Sequence, residues 1–232
     1  MSIAENVAKI REEMKKAALA AGRDPQDIQL CAATKMNDAQ AVREAIAAGV
    51  DCCGENRVQE IQDKRPQGAY EGRPLHFIGH LQTNKVKYLV GVVDLIESVD
   101  RLELLECIEK QAAKCNVTQD ILFEVNIGAE ESKSGFTPED VLQMAAKMDA
   151  FPHVRLRGLM AIPPVSEKPG DNRRYFAEMR NLFVDISAKK YDNVSMDCLS
   201  MGMSDDYPDA IAEGATLVRV GTAIFGARHY NK

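Results

Sequence analysis

Lys35 closes the run Leu30-Cys31-Ala32-Ala33-Thr34, a stretch of apolar and small residues with strand character. On such a strand Cys31, Ala33 and Lys35 share one face. A lysine amine ringed by small side chains is partly desolvated. Its pKa falls, and it becomes competent to form an imine with a carbonyl. The competing reading is a strand-ending lysine that snorkels to water. A second group lies far along the chain. Ser200-Met201-Gly202-Met203-Ser204 carries two hydroxyls, and Gly221-Thr222 offers close-approaching backbone N–H groups and a third hydroxyl. Those types suit a phosphate. Helix capping would account for Ser204 equally well. Asp205 and Asp206 suit a helix dipole, would repel a phosphate they faced, and are expected to point away.

Arg219 is the third signal. It stands inside Leu217-Val218-Arg219-Val220-Gly221, a run that otherwise reads as buried. A buried guanidinium needs a partner. A structural carboxylate would serve. So would the ring nitrogen of a cofactor, since arginine is a known partner of that atom in pyridoxal phosphate.

These residues need elements to bring them together. Strand-like runs fall at 28–35, 50–56, 75–80, 92–99, 121–128, 154–162, 194–201 and 217–221. Helical patterns lie between them. Ile3, Val7, Ile10 and Met14 form one stripe, ended by Gly22 and Pro25. Asn37 and Asp38 offer an N-cap for a helix to Ala48, and 101–115 follows the fourth strand. Thr137, Pro138 and Glu139 open a helix to Met148. Tyr175, Met179, Leu182 and Ile186 mark another, and 205–213 precedes Gly214 as its stop.

Eight apolar strands alternating with helices predict an α/β fold, a single (β/α)8 TIM barrel over residues 1–232 with an extra N-terminal helix. That helix would pack outside or cap the barrel bottom. An open Rossmann sheet is the alternative, but the chain has no G-x-G. In such barrels function gathers at the carboxyl ends of the strands. Lys35, the 200–204 segment and the Arg219–Thr222 segment all fall there.

Composition narrows the function. The 232 residues carry 29 Lys+Arg against 35 Asp+Glu, a net charge of −6, with no tryptophan and 6% aromatics. No basic face or stacking platform for nucleic acid is implied. The six cysteines, at 31, 52, 53, 107, 115 and 198, form no CxxC and have no histidine cluster nearby, so zinc spacing is absent and no metal is expected. They are read as reduced, which points to the cytosol, with Cys52 and Cys53 on opposite strand faces. The N-terminus lacks a signal peptide's apolar block, and the longest aliphatic stretch, 88–93, is too short to span a bilayer. No exposed heptad argues for assembly, so a monomer is expected.

The sequence resembles the pyridoxal-phosphate homeostasis protein family, similar in fold to the N-terminal barrel of alanine racemase. The match is carried by Ala33-Thr34-Lys35, by Gly54-Glu55-Asn56-Arg57-Val58-Gln59-Glu60 and by His76-Phe77-Ile78-Gly79-His80-Leu81-Gln82-Thr83-Asn84-Lys85. Glu131-Ser132-Lys133-Ser134-Gly135, Arg157-Gly158-Leu159-Met160, Ser200-Met201-Gly202-Met203-Ser204 with Asp206, and Arg219-Val220-Gly221 complete it. The resemblance covers nearly the whole chain. It implies that Lys35 holds pyridoxal 5'-phosphate as an internal aldimine and that Arg219 faces the pyridine nitrogen. The phosphate would lie among Ser200, Ser204, Gly221 and Thr222. Asn56 would neighbour the ring or its hydroxyl, and Met160 would pack against the ring.

The resemblance also favours a protein that buffers or delivers the cofactor, with apo-enzymes as its partners, over an enzyme. Racemisation needs a base on each face of the α-carbon, and Lys35 supplies one. In the two-domain racemases the other is a tyrosine from a further domain, whereas this sequence ends at Lys232. Two alternatives stay open. One is an active amino-acid racemase or decarboxylase using the same cofactor. The other is a cofactor-free, aldolase-type barrel acting through Lys35 on a phosphorylated sugar. His80 and Lys85, after the third strand, and Lys133, Ser134 and Gly135, after the fifth, either guard the mouth or are ordinary loop groups.

Overall fold

The computed structural model describes residues 1–130, 133–165 and 168–226. Eight strands close into a barrel in chain order: β1 (Gln29–Ala33), β2 (Cys52–Glu55), β3 (Leu75–Phe77), β4 (Leu95–Val99), β5 (Gln119–Val125), β6 (Val154–Ala161), β7 (Val194–Ser200) and β8 (Leu217–Val220). Each pairs in parallel with its neighbour, and β8 returns to β1 with Cys31 opposite Arg219. All eight predicted strands form, in the closed topology.

Side chains alternate across the wall, as strand geometry requires. Leu30, Ala32, Cys53, Phe77, Ile96, Phe123, Leu199 and Val218 point outward into the main core under the helices. The inward set is small and mixed. Cys31, Cys52 and Leu217 form one apolar cluster, Leu95, Leu122 and Met160 another, and Cys198 packs on both. Glu97, Ser200 and Arg219 stand among them, nearly or wholly buried. A polar barrel interior is costly unless every group is paired.

The helical layer comprises α1 (Ile3–Ala20), α2 (Ala39–Ala47), α3 (Val58–Lys64), α4 (Leu102–Cys115), α5 (Pro138–Ala145), α6 (Arg173–Lys189), α7 (Tyr207–Ala212) and α8 (Thr222–Phe225). Asp38 caps α2 through Ala41 N, and Thr137 caps α5 through Asp140 N. The β3–β4 connection uses a 3-10 turn, Thr83–Tyr88, where the barrel pattern has a helix. The helix after β8 is one turn long, and α1 covers that side of the wall. Its buried stripe, Val7, Ile10, Met14 and Ala18, extends the predicted one. Asn6 Nδ2 donates to Ile224 O at 2.8 Å, and Tyr207 hydroxyl donates to Glu13. The N-terminal helix therefore lies outside the wall, not across the barrel bottom.

The strands end earlier than the apolar runs. β1 stops at Ala33 and β3 at Phe77, so Lys35 and His80 lie beyond their strands. Tilted strands diverge toward the mouth, and the last residues of each run leave the ladder as loops. At β6 the register shifts around Gly158 against both neighbours. Its φ is 153°, and a Cβ there would lie 1.8 Å from Cys198 O. Only glycine permits that bulge, which sets Met160 on the inner face. All six cysteines are free thiols. Among the described residues, no helix is long and apolar enough to cross a membrane.

Candidate functional site

Lys35 is half-buried, two residues past β1, in a turn held from outside the barrel. Thr34 Oγ1 donates to Glu55 Oε1 at 2.7 Å. Lys64 Nζ donates to the same oxygen at 2.7 Å, to Thr34 O at 3.0 Å and to Glu60 Oε2 at 2.8 Å. Met36 N donates to Glu60 Oε2 at 2.6 Å. Both residues flanking Lys35 are thus fixed by one buried charge cluster. Met36 takes a left-handed φ of 64°, so the turn is tight. Burial raises the Glu55 carboxyl, while the hydrogen bond and charge of Lys64 and the bond from Thr34 oppose that. Sequence reasoning quoted Thr34, Glu55 and Glu60 within motifs without seeing this role, and it passed over Lys64.

The seam between β8 and β1 sets Lys35 beside the predicted phosphate rim. Gly221 lies against Ala33, where an added Cβ would meet Ala33 Cβ and O at 3.3 Å. Ser204 Oγ accepts from Ala223 N at 3.4 Å, joining the β7 loop to the first turn of α8. Ser204, Gly221 and Thr222 therefore line one edge. The carboxylate of Asp206 turns back to accept from Met203 N at 2.7 Å and Asn172 Nδ2 at 2.9 Å.

Ser200 is placed differently from its neighbours in that prediction. Its side chain is inside the barrel and fully buried. The hydroxyl donates to Glu97 Oε2 at 2.6 Å and accepts from Arg219 NH1 at 2.5 Å. Arg219 NH2 donates to Ala161 O at 3.0 Å, and Glu97 lies 3.8 Å from the guanidinium. Glu97 Oε1 pairs with His76 Nδ1 at 2.7 Å. Full burial alone would push the Glu97 carboxyl up. The bond and charge of His76, the charge of Arg219 and the Ser200 bond outweigh it and hold the group below the ordinary carboxylate value. Arg219 has found a structural carboxylate while still facing the mouth layer. Glu97 escaped sequence reasoning, although a lone acid inside Leu95-Ile96-Glu97-Ser98-Val99 is the same signal that exposed Arg219.

Asn56 follows β2, and its Oδ1 is buried without a partner. An orphaned amide at a barrel mouth fits a bound polar group. Met160 is buried and inward, opposite Glu124 and Ser200 in register. Glu124 was also missed. Burial, then the charge of Asp100, raises its carboxyl to about 7, against the lowering effect of Arg219.

The loops divide. His80 Nδ1 lies 3.2 Å from Asp100 Oδ2 and 3.3 Å from Ser134 Oγ, which ties the β3 and β5 loops together. Lys133 pairs with Glu130 and donates to Pro163 O at 3.1 Å. Lys85 is exposed, 5.7 Å over the Tyr88 ring, and takes no part. Glu131 and Ser132 lie outside the described residues.

The model of the family "alanine racemase, N-terminal domain" matches residues 2–229. A pyridoxal phosphate homeostasis protein of Aquifex aeolicus is 44% identical over 230 residues, 99% of this chain and 100% of that one. An unknown protein from Bifidobacterium adolescentis superposes with a TM-score of 0.89 at 38% identity, over 96% of this chain and 94% of that one. PipY of Synechococcus elongatus, solved with PLP bound, gives a TM-score of 0.83 at 32% identity, over 97% and 100%.

Proposed function

The chain belongs to the family of pyridoxal phosphate homeostasis proteins built on the alanine racemase N-terminal domain, and from that premise we propose that it binds pyridoxal 5'-phosphate and keeps it in exchangeable store. Lys35 Nζ takes the aldehyde carbon as an imine, with loss of one water. Arg219 faces the ring nitrogen. Ser204, Thr222 and the backbone N–H groups at Gly221 and Thr222 take the phosphate. Asn56 meets the ring hydroxyl, and Met160 lies under the ring. Ser200 serves through Arg219, whose guanidinium it fixes.

Bound there, the cofactor supplies an electrophilic carbonyl and a ring that withdraws electrons weakly while its nitrogen faces a cation. Weak withdrawal argues for storage over turnover. An imine at the open mouth of a barrel exchanges with water and free amines, which suits delivery to apo-enzymes. We read the protein as a cytosolic monomer. The observation that carries this reading is the clamped Lys35 turn beside the Ser204–Gly221–Thr222 edge, with the Arg219 guanidinium held below.

The test is the absorbance of the purified chain before and after borohydride. A visible band that bleaches, with the added mass mapped to Lys35, supports the proposal. A chain that stays colourless with added pyridoxal phosphate supports the aldolase-type reading. Lys35→Ala should lose the band and keep some phosphate-dependent binding, and an unchanged band would overturn the assignment. Glu124 favours a second reading. A carboxyl near 7 beside Arg219 can carry a proton at neutral pH. Turnover of an amino-acid panel, lost in both Lys35→Ala and Glu124→Gln, would establish a racemase or decarboxylase.

A further inference from the structure

Cys31 on β1 and Cys52 on β2 are direct register partners, and His76 on β3 stands opposite Gly54, two residues beyond Cys52. One ligand atom from each of Cys31, Cys52 and His76 lies within 4.8 Å of the other two, and all three residues are buried. We propose that Cys31, Cys52 and His76 form a site for a thiophilic divalent cation, zinc above all, inside the barrel below the cofactor-binding mouth.

Four observations carry it. The first is distance. Tetrahedral zinc holds thiolate and imidazole donors roughly 3.5–3.8 Å apart, given bond lengths of about 2.3 and 2.0–2.1 Å. The three donors need close by only about an ångström. Gly54 lets Cys31 Sγ and Ile78 Cδ1 approach the strand, since a Cβ there would lie 2.9 and 2.8 Å from them.

The second is orientation. His76 Nδ1 is given to Glu97 Oε1 at 2.7 Å, which leaves Nε2 for a metal. A carboxylate behind the histidine is the usual support of a zinc ligand. The third is charge. Both sulfurs are buried free thiols, and a thiol ligates a metal only as the thiolate. Two thiolates and one divalent cation carry no net charge together, and Glu97 already has Arg219 beside it. A monovalent cation would leave a net negative charge in a low-dielectric space, and a hard cation would prefer oxygen donors.

The fourth is access. A cavity of about 510 Å³ opens at the amino ends of the strands, and His76 and Cys198 line it. Four aspartates, Asp27, Asp94, Asp120 and Asp197, line it against one arginine, Arg157, which pairs with Asp120 and Asp197. Three protein ligands leave a fourth position that a water can take. The chain spacing gave no hint of zinc because the ligands come from three strands, with one glycine in the gap.

The test uses the full chain in a Cys107→Ser, Cys115→Ser background, which removes the two cysteines of α4 and leaves those of the strands. Stripped with a chelator, it is given zinc chloride, both folded and during refolding. The expected result is one zinc retained through gel filtration and a raised melting temperature. Cadmium in its place should give a thiolate-to-metal charge-transfer band. Cys31→Ser, Cys52→Ser and His76→Gln should each lose the retained metal. Should a variant fail to fold, the melting shift of the parent and its reversal by chelator decide. No retained zinc and no shift in the parent would overturn the proposal, as would full retention in the folded variants.

Discussion

At the residue scale, two carboxyls near the mouth behave in opposite ways, because one has partners and the other lacks them. Glu97 is fully buried and held ionised by His76, Arg219 and Ser200. Glu124 faces Asp100, and its carboxyl rises from the ordinary 4.5 to about 7. Between those values the native chain keeps a proton that the unfolded chain has released. Stability must therefore fall as pH rises through that window and level off above it. Glu124→Gln should remove that slope, so the variant gains on the parent by at most about 3 kcal/mol between pH 4.5 and 7. Urea unfolding at several pH values measures the difference, and a constant gap would show that Glu124 is not protonated there. Lys64 gives the converse case. Its ammonium satisfies Glu55, Glu60 and Thr34 O from a buried position. Lys64→Met leaves Glu55 uncompensated and should cost about 3–5 kcal/mol at neutral pH. The deficit should shrink in acid as Glu55 takes up a proton. Loosening of the Lys35 turn should also weaken the imine band, which a purely distant loss of stability would leave intact in the folded fraction.

At the scale of elements, alternation of apolar runs made the barrel legible, because most strands are largely buried on both faces and each long helix shows one stripe. Asp38 and Thr137 announced their helices through capping chemistry, and both caps form as read. Thr137→Ala should cost about 1 kcal/mol and leave the imine band alone, since α5 opens away from the Lys35 turn. The short elements were not legible. α3, the 3-10 turn Thr83–Tyr88 and the single turn α8 are too brief to show a period, so Thr222 was read as the end of the last strand and the helical turn it opens was not foreseen. Strand ends were overrun for a related reason. Apolar residues continue past the last ladder bond, and sequence cannot tell a ladder residue from a buried loop residue. Ser200 and Ser204 show the limit most clearly. They differ by four residues in one motif, yet one hydroxyl faces the interior and the other the rim, and only the point where β7 ends separates them. Gly158 could be quoted but not understood, since its need arises from Cys198 on the next strand. Gly158→Ala should drive Cys198 O away, undo the bulge and turn Met160 off the inner face. We expect loss of several kcal/mol, on the order of the largest single-site effects, together with a changed cofactor spectrum in any protein that still folds.

At the scale of the whole molecule, a chain of polar groups crosses the barrel interior between two small apolar clusters. His76 on β3, Glu97 on β4, Ala161 O on β6, Ser200 on β7 and Arg219 on β8 are joined by consecutive hydrogen bonds. Five of the eight strands therefore share one charge balance. Such a network is stabilising only when complete, and removing one ion leaves the other buried and unpaired. Arg219→Met should thus cost about 3–5 kcal/mol despite its apolar volume. Its pH dependence follows from the direction of the Glu97 shift. A carboxyl held below its ordinary value confers stability above pH 4.5, and this is lost as pH falls through the lowered value. Without Arg219 both Glu97 and Glu124 lose a lowering influence, so both carboxyls move up. Acid unfolding of the variant should then begin at a higher pH than in the parent, while the fall between pH 4.5 and 7 grows steeper. Glu97→Gln with Arg219→Met in one chain should recover part of the loss, because the pair then leaves no net charge behind. Denaturation midpoints for the parent, both single variants and the double, taken across pH 4 to 8, read that coupling directly. Strict additivity would mean that the guanidinium and the carboxylate, 3.8 Å apart, hold the barrel independently.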